Sequence, residues 1–148
     1  MNILIINGPN LNLLGIREPN VYGTSSYPDL ISFLNEVAKK LNINIEVFQS
    51  NHEGAIIDKL HEAFSQKIHG VVINPGALTH YSYAIRDAVR AISIPTVEVH
   101  LSDISNREPW RNISVIKEVC KKQFFGKGFL SYQEGLEFLI GEINGTCQ

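Results

Sequence analysis

The sequence predicts an α/β fold, a doubly wound parallel sheet of five strands, on three observations. Strand-like and helix-like segments alternate from end to end, with no internal repeat, low-complexity tract or linker. Such alternation builds parallel sheets through right-handed crossovers. Two short, wholly apolar runs, Ile3-Leu4-Ile5-Ile6 and Val71-Val72-Ile73, have the character of strands covered on both faces. Each stops at an asparagine, Asn7 or Asn74, followed by a turn rich in proline and glycine. A chain of 148 residues can bury one core but not two, so a single domain over residues 1–148 is expected. Five strands in that length suit the flavodoxin-like order 2-1-3-4-5.

The stretch from Asn2 to Gly23 organises the rest. Beyond its apolar strand, Gly8, Pro9 and Asn10 break regular structure, and the chain as far as Tyr22 is polar and without period. Ser26-Tyr27-Pro28-Asp29 then announces the first helix with a serine cap, an early proline and an acidic first turn. Leu30, Phe33, Leu34, Val37, Ala38 and Leu41 give that helix its buried face. From Ile43 to Gln49, apolar residues alternate with Asn44 and Glu46, the pattern of an edge strand with one face partly wet. Ser50 and Glu53 read as a second capping box, ahead of the stripe Ile56, Ile57, Leu60 and Phe64. After the third strand, which begins at Gly70, the block NPGALTH repeats the logic of the opening, and Thr79 is expected to cap helix three. Pro95 to Val99 reads as strand four, followed by a polar stretch, irregular or briefly helical, to Asn112. The fifth strand is expected within Cys120 to Phe125, although Lys121 and Lys122 are unusual in a buried strand. Ser131 and Glu134 read as a third capping box for a last helix buried through Leu136, Leu139, Ile140 and Ile143.

Composition excludes several function classes. A net charge of -2 gives no electrostatic case for nucleic acid or an anionic membrane surface. Cys120 and Cys147 lie far apart without metal-ligand spacing, as free thiols in a reducing compartment do. No apolar run approaches the roughly 20 residues of a spanning helix, and the start lacks the basic region and longer apolar core of a signal peptide. A cytoplasmic protein without a membrane partner is expected.

In the predicted strand order, the carboxyl ends of strands one, three and four are neighbours, where open α/β sheets bind ligands. They bring together Asn10, Asn74 with His80, and Glu98 with His100 and Ser102. Taken singly, Asn7 and Asn74 also read as turn asparagines and His80 as a capping residue. Glu98 and His100 share a strand face as metal ligands would, but no thiol or third ligand has motif spacing, so no metal is expected. Arg17, Arg107 and Arg111 lie in or beside the polar loops, which suits an anionic substrate, whereas Arg86 and Arg90 read as a solvated helix face. A guanidinium near Tyr22 or Tyr27 favours the phenolate and makes it a usable base. A response-regulator receiver needs acidic residues where Asn7 and Asn74 stand. A flavodoxin-like small-molecule-binding module without catalysis is the alternative reading, but GPNLNLLG is not a phosphate loop, and no GxGxxG or Walker motif occurs.

The strings INGPNLNLLGIREPNVYG, QSNHEG, INPGALTHYSYAIRDA and PTVEVHLSDISNRE, with the glycine-rich approach to Tyr132, resemble the type II 3-dehydroquinate dehydratases over nearly the whole chain. The resemblance implies a lyase that removes water from 3-dehydroquinate to give 3-dehydroshikimate in the shikimate pathway, with no cofactor. It implies Tyr22 as the base, with its pKa lowered by Arg17 and Arg111, and Asn10 as holder of a water that stabilises the enolate. It implies His100, positioned through Asn74, as the acid for the leaving hydroxyl in an anti elimination. Leu101 and Ser102 are implied to bind the carboxylate, His80 and Arg111 the ring hydroxyls, and Glu98 to support the geometry. It further implies a lid from Arg17 to Tyr22, and a homododecamer of four trimers in which Asp87 approaches a neighbouring subunit's site. Pro75, Ala77 and the lysines of the fifth strand depart from the family's pattern.

Overall fold

Five parallel strands in the order β2-β1-β3-β4-β5 form the centre of the computed structural model, which describes residues 1–16 and 25–146. The strands are β1 (Asn2–Asn7), β2 (Asn44–Gln49), β3 (Gly70–Asn74), β4 (Thr96–Val99) and β5 (Gln123–Phe124). The helices are α1 (Tyr27–Leu41), α2 (Glu53–Ser65), α3 (Tyr83–Ile92) and α4 (Phe129–Thr146). The strand order is the one the alternation of elements predicts.

Side chains alternate across the sheet and divide the core in two. Ile3, Ile5, Val72, Val97 and Val99 face α1 and α4, where they meet Leu30, Leu34, Leu136 and Leu139. Leu4, Ile6, Val71 and Ile73 face α2 and α3, against Ile56, Leu60, Ile85 and Val89. Continuous apolar sequence in β1 and β3 is thus the signature of two covered faces. The edge strand β2 leaves Asn44 and Glu46 exposed, as its alternation predicts. At the other edge β5 is only two residues long, and Lys122 lies outside it with Nζ 5.3 Å from the ring centres of Phe124 and Phe138. The lysines therefore do not enter the core.

Of the expected caps, only the first forms. Ser26 and Asp29 exchange the two bonds of a capping box at the start of α1. At α2 the Ser50 hydroxyl accepts from His52 N, while Glu53 is drawn away to accept a bond from Ser82 Oγ at 2.5 Å. Ser82, not Thr79, caps α3, accepting from Ile85 N at 3.0 Å. Thr79 faces inward and donates to Glu98. Helix α4 begins two residues before Ser131, which is buried and accepts from Lys127 N, and Glu134 pairs with Lys127 Nζ at 2.8 Å. Glu53 and Thr79 are thus drawn to tertiary partners, whereas Ser131 and Glu134 both bond Lys127 just ahead of their helix. Among the described residues, no helix is long and apolar enough to cross a membrane.

Candidate active site

The turns that follow β1 and β3 interlock. Gly8 N donates to Asn74 O at 2.8 Å. A Cβ on Gly8 would collide with the Pro75 carbonyl, and one on Gly76, at φ 60°, would lie 3.0 Å from Pro9 O. Close backbone approach therefore demands glycine at both positions. Asn10 adopts a left-handed conformation at φ 71°, which asparagine tolerates, and its N–H donates to Asn51 Oδ1 at 3.0 Å. Gln49 donates to Gly8 O at 3.2 Å. The loop after β1 is thus pinned from both neighbouring strands.

A cleft opens over these turns and the end of β4. It is lined by Asn10, Asn74, His80, His100, Leu101, Ser102 and Arg111, together with Pro9, Leu11, Gly76, Ala77, Ile104 and Arg107. Eight of the residues singled out in the sequence, Arg107 among them, thus meet in one place. Glu98 lies beneath them, fully buried, and Asp87 is exposed on α3 outside the cleft. Arg17 and Tyr22, with the expected lid, fall outside the described residues.

His100 is set by the end of the sheet, its N–H donating to Phe124 O at 2.9 Å. Its ring Nε2 lies 2.5 Å from Glu98 Oε2. The same carboxylate accepts from Thr79 Oγ1 at 2.6 Å and from Ser114 Oγ at 2.8 Å. Burial pushes the Glu98 carboxyl up, but the hydrogen bond and charge of His100 and the two hydroxyls outweigh it, so Glu98 sits below the usual glutamate range and is ionised. A carboxylate only accepts, so Nε2 carries the proton and Nδ1 is the nitrogen left for a ligand. Asn74 does not hold His100 as the resemblance implies. Its amide bonds Tyr132 and Gly76 instead, because Glu98, two residues back on the same strand face, reaches the imidazole first.

His80 closes another side of the cleft. Its Nδ1 lies 2.7 Å from Ile113 O and must donate to it. Burial lowers its pKa, against the Ile113 bond and with His100 and Arg111 nearby, so the ring is neutral and offers Nε2 as an acceptor. Trp110 packs edge-on to His80 at 5.2 Å and carries the Arg111 guanidinium over its face at 4.0 Å. Arg111 Nε also lies 2.6 Å from Glu108 Oε2, though not aligned for a hydrogen bond. The arginine is thus fixed in place with donors available to an anion.

Thr79, Ser114, Trp110 and Tyr132 also shape the site, and sequence reasoning gave them no part in it. Thr79 stood inside the NPGALTH block but read as a helix cap, and Ser114 and Trp110 carried no signal. Tyr27, read as a possible phenolate, is the reverse: burial pushes its phenol up, against a smaller effect of the bond from Asn7.

A family model described as dehydroquinase class II matches residues 1–140. A 3-dehydroquinate dehydratase of Caldicellulosiruptor saccharolyticus is 55% identical over 143 residues, covering 97% of this chain and 98% of its own. One from Thermotoga neapolitana is 52% identical over 139 residues, 94% of each chain. The crystal structure of a type II dehydroquinase from Butyrivibrio crossotus superposes with a TM-score of 0.93 at 54% identity, over 94% of this chain and 97% of that one. With the fold, the cleft and the sequence in agreement along nearly all of its length, the chain belongs to the class II dehydroquinase family.

Proposed function

We infer that this protein is a hydro-lyase that removes water from 3-dehydroquinate to give 3-dehydroshikimate in the shikimate pathway. Membership of the dehydroquinase family carries the reading. A binding module without catalysis is disfavoured, because it gives no reason for a buried Glu98 carboxylate to hold a histidine at the rim of the cleft. The substrate is a small cyclic anion, which suits Arg111 and the donors around it.

Tyr22, as a phenolate favoured by Arg17, takes the proton from the carbon next to the ketone. The electron pair becomes an enolate, stabilised by a water on Asn10. His100 gives its Nδ1 proton to the leaving hydroxyl on the opposite face, the enolate collapses to the conjugated enone, and water departs. Glu98 balances the positive charge of the imidazolium from the far nitrogen. Leu101 and Ser102 take the carboxylate, and His80 and Arg111 the ring hydroxyls. Asn74 shapes the substrate side of the cleft. No cofactor or metal enters the reaction.

The same reading extends to a cytoplasmic homododecamer of four trimers, in which Asp87 reaches a neighbour's site. Its exposure on α3 away from its own cleft supports that role, and sedimentation velocity gives the assembly. Ultraviolet absorbance tests the activity: purified protein with 3-dehydroquinate and a chelator, without added cofactor, yields the enone signal, and Tyr22→Phe abolishes it. No signal from folded wild type overturns the dehydratase reading, and a metal requirement overturns its cofactor-free form.

A further inference from the structure

Tyr132 of α4 is fully buried, with its hydroxyl between the ends of β1 and β3. The hydroxyl donates to Asn7 Oδ1 at 2.6 Å and accepts from Asn74 Nδ2 at 2.9 Å. Asn7 Nδ2 donates onward to Tyr27 Oη at 3.3 Å, and Asn74 Oδ1 accepts from Gly76 N at 3.2 Å. Four hydrogen bonds therefore run in one sense, from the Gly76 N–H through Asn74, Tyr132 and Asn7 to Tyr27. A half-turn of either amide would break the chain. With Asn74 reversed, its oxygen would face a phenol that has already given its proton to Asn7, and its NH₂ would face the Gly76 N–H. Burial pushes the Tyr132 pKa well above the usual phenol range, which keeps the hydroxyl protonated and able to donate.

Asn74 lines the cleft, and Gly76 opens the turn Gly76–His80 that delivers His80 to it. We propose that Tyr132 is a positioning residue for the reaction: its hydroxyl selects the orientation of the Asn74 amide and, through the Gly76 N–H, sets the turn that carries His80. The inference rests on the dehydratase reading. It concerns a side chain on a helix behind the sheet, reaching the cleft through Asn74.

Tyr132→Phe tests it, since the ring volume stays and only the oxygen is lost. Turnover is measured for wild type, Tyr132→Phe, Asn74→Ala and the double variant, each normalised to its folded fraction by circular dichroism. A misplaced site group costs on the order of 100-fold in rate, so Tyr132→Phe is expected to lower kcat at least about tenfold with KM within about threefold. In the Asn74→Ala background the same change is expected to do nothing further. A lower unfolding midpoint with kcat unchanged per folded subunit would show a purely structural hydroxyl and overturn the proposal. Effects that multiply in the double variant overturn it too, because Tyr132 would then act independently of Asn74. If Tyr132→Phe does not fold, Asn7→Ala serves: it keeps the phenol but frees its proton, so the amide loses its fixed sense. Normal kcat there counts against the proposal in the same way. An inert, folded wild type defeats the dehydratase reading, and this inference with it; an active wild type with unaffected variants defeats this inference alone.

Discussion

His100 Nε2 and Glu98 Oε2 lie 2.5 Å apart, both buried, so that the charge on either group governs the other. Glu98→Gln preserves the shape and an acceptor for Nε2 but removes the counter-charge. General acid catalysis contributes at least about 100-fold, and kcat is expected to fall by roughly that amount. The measurement is steady-state kcat for both proteins; an unchanged kcat would remove Glu98 from the acid step.

The same carboxylate makes stability depend on pH. Its pKa is lower in the folded chain than in the unfolded one, where glutamate titrates near about 4.3. Its contribution is therefore complete above that value and is lost as the pH falls through the lower, folded value. Urea unfolding from about pH 5 downward should show wild type losing stability more steeply than Glu98→Gln. Parallel curves would mean that other carboxyls dominate acid unfolding.

Gly8→Ala places a methyl group against the Pro75 carbonyl, backbone against backbone, where neither partner can rotate away. Overpacking of this kind costs about 1–3 kcal/mol, and the urea midpoint should fall accordingly. Gly54→Ala is the control: its Cβ meets nothing within 4 Å, and stability should change by less than about 1 kcal/mol.

Arg111→Lys retains the charge but loses the planar fork that lies over Trp110. Steady-state kinetics should show KM up by about tenfold, equivalent to about 1.4 kcal/mol, with a smaller change in kcat. A selective fall in kcat would instead give Arg111 a role in the chemical step.

The sheet was legible because its strands announce themselves. The runs before Asn7 and Asn74 are apolar on both faces, and both end in proline- and glycine-bearing turns that lead into short 3-10 segments. Strand order then brought Asn10, His80 and His100 to one rim. What the sequence hid was the choice among partners. Thr79 and Ser82 are three residues apart, either could cap α3, and only the placement of Glu98 decides which faces inward. Glu53 and Glu134 likewise stood at capping-box spacing, but found Ser82 and Lys127 elsewhere. The Tyr132 bond to Asn74 spans 58 residues of chain, beyond the reach of any local pattern.

The interlock of Gly8 with Asn74 and Pro75 has a consequence for how the chain folds. Strands β1 and β3 pair across the intervening α1, β2 and α2, and β4, which leads into His100, pairs with β3 from further along the chain. Non-local pairing of this kind is slow, and a partly assembled sheet holds no half-strength version of the cleft. Ligand occupancy and sheet completion are thus one equilibrium. A cyclic carboxylate held at 100 times its Kd would add about 2.7 kcal/mol to the stability of the entire domain, guarding strands it never touches against opening.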